Sequence, residues 1–557
     1  MNIRWVRGLV ITLSLLVPAL GAPSRVAARA LTPSTGHPTM KKSVAKAPAV
    51  KRPAVTTVVK KSVKNSTSTK AASSPKSRGT EAGPPAPKPI DFGAPVAGAP
   101  MPPSSVEFTR CDAVVECAQL RVPLDPGSPA GEMISLHVSR RRATDPAKRR
   151  GVLFMNPGGP GSPAFDIVRS ASVFLIPDVL ARYDVVGVDP RGTERSTPIR
   201  CGGTAVGSLG SVPLDRSLPQ ADQVRARYGE IARSCELTEA KMIPFLDTPT
   251  NAADLDAVRV ALGEERISFL GLSYGTYLGA VYQTRYPGHS ARFVLDSAIT
   301  PTRFGSSLLI DRAAAHETAL DGFLEACATG RLKPCRFNDG TDLRAKYLGL
   351  RADVTAASPS GSRGFDSQVG ELVGFPGSGW PILGRGLQEL VTIGRANFNE
   401  LPADDVTRED REVYLGSDVF SEATNLAVNC RDGILPRNPE AFTEITSQIS
   451  VVAPRFTGLA PTAALASLTC PAWPAATLPV ATFAPNGVAT LVIANHFDLT
   501  TPLSWSQALA TQLGAGVLLR EGGGHVATDK SACVKLAVAH FLIDSPPPPV
   551  TSATCQR

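Results

Sequence analysis

Gly271-Leu272-Ser273-Tyr274-Gly275 joins two segments of opposite periodicity. Ahead of it, Ile267 to Leu272 is a short apolar run suited to a buried strand. Behind it, Tyr274 to Tyr286 reads as a helix closed by Pro287-Gly288. A strand that turns straight into a helix through G-x-S-x-G lifts the serine hydroxyl clear of the backbone. The turn is too tight for side chains two residues to either side, hence the glycines. The helix N-terminus behind Ser273 favours negative charge developing there. By letters alone such a pattern arises by chance. Its strand–turn–helix setting, and its single occurrence in the chain, give it weight. The plainer alternative is a glycine-rich packing turn.

The surrounding sequence repeats the alternation. Gly151 to Met155 and Tyr183 to Asp189 are further strands, each ending in a Gly/Pro turn. Ala252 to Leu262 reads as a helix, with Leu255, Val258 and Leu262 on one face and Gly263 as its stop. Arg292 to Asp296 is the next strand. Ile134 to Val138 alternates and suits antiparallel pairing with Leu120-Arg121-Val122. Strands alternating with helices imply a largely parallel sheet. From about residue 303 to 480 the pattern becomes helical, most clearly at Leu308 to Ala328 and Leu387 to Ala396. Alternation resumes at Thr490 to Asn495, Leu503 to Leu513, Val517 to Leu519 and Ala532 to Leu542. The simplest account is an α/β core over 105–302 and 481–557, interrupted by a helical insertion at 303–480.

A serine hydroxyl needs a general base. Of seven histidines, His37 lies in the N-terminal tail, His137 in an early hairpin and His289 after a surface-type Pro-Gly turn. His316 sits in the insertion, and His540 reads as a packing residue inside the last helix. His525 follows a strand on the loop Gly522-Gly523-Gly524, from which an imidazole can reach a neighbouring strand end. The acid that orients it should come from a strand end between Ser and His. Asp498 fits, with Asp296 as the alternative; His496 then becomes a local packing or surface residue. Oxyanion donors are expected from Tyr274 N–H and from Gly158 or Gly159, in the loop Asn156-Pro157-Gly158-Gly159-Pro160-Gly161.

The chain has 557 residues, 43% apolar and 19% charged, enough for a full core. Its net charge of +9 is not a nucleic-acid signal once located. Residues 1–30 contribute +4 and residues 31–100 contribute +10, so the remainder carries −5. Arg4 and Arg7 precede an apolar stretch from Leu9 to Leu20, and Ala28-Arg29-Ala30 is a plausible cleavage site. That order is a signal peptide over 1–30; a run of about 12 apolar residues is short for a membrane anchor. Residues 31–104 are rich in Lys, Pro, Ala, Ser and Thr and read as a disordered basic linker. It is first a solvated spacer, although its charge also suits electrostatic contact with an anionic envelope. Ten cysteines fit an exported chain with disulfides, yet allow roughly a thousand pairings, of which neighbour pairing is the simplest. No C-x-x-C or Cys/His spacing for zinc occurs.

These residues resemble the tripeptidyl aminopeptidase family of exported α/β-hydrolases, relatives of proline iminopeptidase. The resemblance runs from about residue 105 to 557. It is carried by Val122-Pro123-Leu124-Asp125, the Asn156 to Gly161 loop, Asp189-Pro190-Arg191-Gly192-Thr193 and Gly271 to Gly275. Leu295-Asp296, Cys430-Arg431-Asp432, Asp498-Leu499-Thr500-Thr501-Pro502 and Gly524-His525 continue it. It implies the α/β-hydrolase fold with a helical lid between the sixth and seventh core strands. It also implies disulfides between sequence neighbours, from Cys111 with Cys117 to Cys533 with Cys555. Glu194, Ser162, Val526 and Ser297 stand where the family usually has glycine.

The implied reaction is acyl transfer. His525 takes the Ser273 proton during attack on a carbonyl, loop amides hold the oxyanion, and water releases the acyl group, with no metal or organic cofactor. An aminopeptidase must also bind an α-ammonium. Asp404, Asp405, Glu409, Asp410, Glu412, Asp418 and Glu422 crowd one stretch, and Asp432 follows Cys430. Glu422 and Asp432 are the candidates carried forward; a solvated helix face with Arg408 and Arg411 explains most of the others. A secreted carboxylesterase would use the same triad. A catalytically dead hydrolase serving as a binding module is the remaining class. The expected substrate is a peptide or small ester, with no nucleic-acid partner and a monomeric chain.

Overall fold

The computed structural model describes residues 106–201, 220–357, 361–396, 398, 421–544 and 553–556. The signal-peptide and linker expectations, and Asp404, Asp405, Glu409, Asp410, Glu412 and Asp418, lie outside the described residues.

One ten-stranded sheet organises the described chain. Its strands are β1 (Thr109–Arg110), β2 (Glu116–Pro123), β3 (Met133–Arg141), β4 (Gly151–Asn156) and β5 (Tyr183–Val188). They continue as β6 (Ile267–Leu272), β7 (Ser290–Asp296), β8 (Ala489–Phe497), β9 (Gly516–Gly523) and β10 (Ala553–Cys555). The spatial order is β1-β2-β3-β5-β4-β6-β7-β8-β9-β10. The first three strands enter antiparallel, and β5 to β10 run parallel. Leu120 pairs with Leu136 and Val122 with Ile134, the hairpin register expected from their alternation.

Helices cover both faces, as a parallel sheet requires. Between β4 and β5 lie α1 (Phe165–Arg169), α2 (Ala171–Phe174) and α3 (Pro177–Arg182). Next come α4 (Gln220–Glu239) and α5 (Thr248–Ala261) before β6, and α6 (Tyr274–Arg285) before β7. The chain between β7 and β8 contains α7 (Ser306–Ala328), α8 (Leu343–Ala357), α9 (Gly361–Val373) and α10 (Gly379–Ile393). It continues with α11 (Glu422–Arg431), α12 (Ala441–Val452) and α13 (Ala460–Ala464). Finally, α14 (Leu503–Leu513) precedes β9, and α15 (Ala532–Ile543) precedes β10. Strand β4 is buried throughout. Its side chains alternate between two cores: Val152 and Phe154 pack with α5 and α6, Leu153 and Met155 with α1 and α15.

Two helix boundaries and one residue's placement differ from the sequence reading, each for a local reason. Helix α5 starts at Thr248 because the Asp247 carboxylate accepts Thr250 N–H and Pro249 occupies the first turn. Helix α10 starts at Gly379, eight residues early, through glycines that look like breakers. Gly386 lies against the Phe398 ring, where a Cβ would come within 2.3 Å, so its missing side chain serves packing. His540 is not a packing residue: its side chain is 68% exposed and pairs with Asp544.

All ten cysteines pair with sequence neighbours: Cys111–Cys117, Cys201–Cys235, Cys327–Cys335, Cys430–Cys470 and Cys533–Cys555. Cys430–Cys470 fastens the end of α11, and Cys533–Cys555 joins α15 to β10.

Candidate active site

Ser273 occupies the turn between β6 and α6 with φ 55° and ψ −125°. The flanking glycines are required by contact. A Cβ on Gly271 would lie 2.3 Å from the Gly275 carbonyl oxygen, and one on Gly275 would lie 2.7 Å from that of Asn156. Ser273 N–H donates to the carbonyl of Asp296 at the end of the adjacent strand (3.0 Å). Its Oγ is buried with no hydrogen-bond partner among the described residues.

His525 stands beyond β9, and its Nδ1 lies 2.9 Å from Asp498 Oδ2. Asp498 follows β8 and is 2% exposed. It also accepts from the Thr500 and Thr501 amides and the Thr501 hydroxyl, each at 2.9 Å. Burial opposes its charge, but His525 and the Thr501 donors outweigh burial and hold the carboxyl below its ordinary range. With Nδ1–H donated to a carboxylate, Nε2 is left as the acceptor. That Nε2, like Ser273 Oγ, is buried without a hydrogen-bond partner among the described residues.

The loop after β4 closes over the serine turn. A Cβ on Gly158 would meet Leu272 O at 2.5 Å and Tyr274 N at 3.0 Å, so only glycine permits this approach. Gly158 is nonetheless corrected as a donor, because its N–H donates to Asn156 Oδ1 at 2.9 Å. Gly159 and Tyr274 remain. Tyr274 is the first residue of α6, so its N–H has no partner within the helix.

That α11 seats this loop has no local signal in the sequence. Asn425 Nδ2 donates to Pro160 O at 2.9 Å, and Ser421 N–H to Gly161 O at 3.1 Å. Thr424 Oγ1 donates to Gly192 O at 2.8 Å. Glu422, in the same helical turn, is part-buried, and no hydrogen bond or ion pair satisfies its carboxylate among the described residues. Burial pushes it up to about 7.

Asp432 is corrected as an ammonium ligand. It is 2% exposed, and both oxygens accept from Thr248 N–H at 3.2 Å. Its Oδ2 also accepts from the Thr248 hydroxyl, which lies against the Tyr274 hydroxyl. Burial, aided by Asp247, pushes its carboxyl up to about 8. It joins α11 to the core and offers no free face to a ligand. Asp296, the alternative acid, accepts from the Ala527 and Thr528 amides and the Thr528 hydroxyl, with no bond to His525. His496 pairs with Glu521 at 2.8 Å and stacks on Phe497.

An ordered carboxylate–imidazole pair, a serine on a strained turn and main-chain donors beside it form a set competent for acyl transfer. The model described as alpha/beta hydrolase fold matches residues 151–335, and that described as TAP-like protein matches 458–555. A tripeptidyl aminopeptidase of Streptomyces lividans is 36% identical over 226 residues, 38% of this chain. The chain thus spans only 41% of that enzyme's length. Carboxylesterase B of Mycobacterium tuberculosis is 32% identical over 463 residues, 79% of this chain and 86% of that protein. Serine protease Hip1 of the same organism is 27% identical over 79% of this chain and 87% of its own. The chain therefore belongs to the α/β-hydrolase family, and its residues 458–555 carry the TAP-like match.

Proposed function

We propose that the chain is an exported aminopeptidase that releases short, tripeptidyl-type peptides through an acyl-enzyme on Ser273. His525 Nε2 takes the hydroxyl proton, Asp498 balances the imidazolium, and the Tyr274 and Gly159 amides receive the oxyanion. The imidazolium returns its proton to the leaving amine, and water then attacks the ester. Export is supported by five disulfides and by the signal-like segment Arg4 to Ala30. The basic linker is a spacer whose charge can hold the enzyme near an anionic envelope.

The observation that carries the peptidase reading is the Glu422 carboxylate, part-buried and without a partner among the described residues, one residue from the Ser421 contact with the oxyanion loop. A peptide α-ammonium there would supply its missing partner. Kinetics on tripeptidyl-anilides, N-acetylated tripeptidyl-anilides and short acyl esters test this. Glu422→Gln should raise KM for free-amino substrates about tenfold or more and leave KM for acyl esters unchanged. The carboxylate forms above about 7, and a peptide α-ammonium is lost above about 8, so KM for free-amino substrates should be lowest between those values. Below about 7 Glu422 is protonated and KM should rise.

The second reading is a secreted carboxylesterase, favoured by the 32% identity with Carboxylesterase B across 79% of this chain. Fast ester cleavage with no peptide release, and no effect of Glu422→Gln, would select it.

A further inference from the structure

Four described residues other than glycine have positive φ: Cys201, Ser273, Ser297 and Val526. Two of them bond to each other. Val526, at φ 69°, directly follows His525, and its N–H donates to Ser297 Oγ at 3.0 Å. Ser297, at φ 59°, directly follows Asp296 at the end of β7. A left-handed backbone crowds any Cβ, and a β-branched one most. Such conformations persist only where the surroundings over-determine them.

The surroundings do so here. Lys530 Nζ donates to His525 O at 2.8 Å. Ser297 Oγ takes the next amide, that of Val526, and the Asp296 carboxylate takes the two after it, at Ala527 (3.0 Å) and Thr528 (2.7 Å). Asp296 and Ser297 are both fully buried or nearly so. The Asp296 carbonyl meanwhile accepts Ser273 N–H, so one dipeptide grips both the serine turn and the histidine loop.

We propose that Ser297 is a positioning residue: its hydroxyl restrains the strained Val526 and, with the Asp296 side chain, keeps His525 in register with Ser273. This rests on His525 being the general base. The strain at Val526 is what makes the hydroxyl necessary. Without it, Val526 can relax toward negative φ and carry the adjacent imidazole with it.

The test is a cycle of Ser297→Gly and Val526→Gly in the full chain, assayed on a p-nitrophenyl acyl ester. Ser297→Gly removes a side chain where glycine is unstrained, so Tm should hold or rise. Its kcat should nevertheless fall about tenfold through misplacement of the base. KM for the ester should stay within about twofold, so that the loss falls on kcat, as a misplaced base and not a loosened pocket requires. In the Val526→Gly background, where no strain needs restraint, the same change should cost about twofold at most. Full kcat in Ser297→Gly, a loss that falls on KM instead, or an equal loss in both backgrounds would overturn the proposal. His525→Ala is run beside them. If it is active, the base assignment itself fails; if it is inactive and Ser297→Gly is normal, only the positioning role fails.

Discussion

Ser273→Ala and His525→Ala are each expected to lower kcat on an acyl ester by about a million-fold, and Asp498→Asn by about ten-thousand-fold. The ranking follows from geometry. In the proposed mechanism Ser273 forms the acyl bond, and His525 Nε2, a buried acceptor with no partner among the described residues, moves the proton. Asp498 acts through His525 Nδ1 at 2.9 Å. An asparagine amide there would donate to Nδ1 instead of accepting from it, fixing the tautomer that cannot take the serine proton. The losses should not add, because the three groups act as one unit. His496→Ala should retain its rate, since that ring is held by Glu521 and Phe497. A dead His496→Ala beside an active His525→Ala would overturn both the base and the acid.

Arg191→Ala should destabilise the fold by about 3–5 kcal/mol. The side chain is fully buried, with Nε and Nη2 on the Asp254 carboxylate at 2.8 and 2.7 Å. Its Nη1 donates to Leu124 O at 2.7 Å, fastening the end of β2 to α5. Truncation strands a buried carboxylate and a carbonyl at once. Urea unfolding should show a lower midpoint with unchanged slope. Arg191→Met with Asp254→Leu should recover much of the loss, because breaking a buried pair costs more than replacing it. An unchanged midpoint in Arg191→Ala would contradict this account. Activity should suffer too, since neighbouring Gly192 receives Thr424 of α11.

The placement of Ser273, Asp498 and His525 is legible in the sequence because each follows a strand end, where chain order and local spacing constrain position. Gly271 and Gly275 were legible for the same reason: the contacts that exclude a Cβ lie in or beside the turn itself. Gly158 was half legible. Its close approach follows from the loop, whereas the loss of its amide to Asn156 depends on one side-chain rotamer. Asp432 misled because an acid in a polar-looking stretch reads as available, and only tertiary packing shows Thr248 occupying it. The seat of α11 on Pro160 and Gly161 joins residues about 260 apart and leaves no periodic trace. Glycine propensity alone predicts a shorter α10, because the Phe398 ring that uses the space at Gly386 is distant in sequence pattern.

The central claim is that Ser273, activated by His525, is the nucleophile. Labelling the purified chain with a fluorophosphonate, followed by peptide mapping, tests it most directly. The account predicts one adduct, on the peptide carrying Ser273, absent in Ser273→Ala and strongly slowed in His525→Ala. An adduct on another residue, or labelling undiminished in Ser273→Ala, would contradict it.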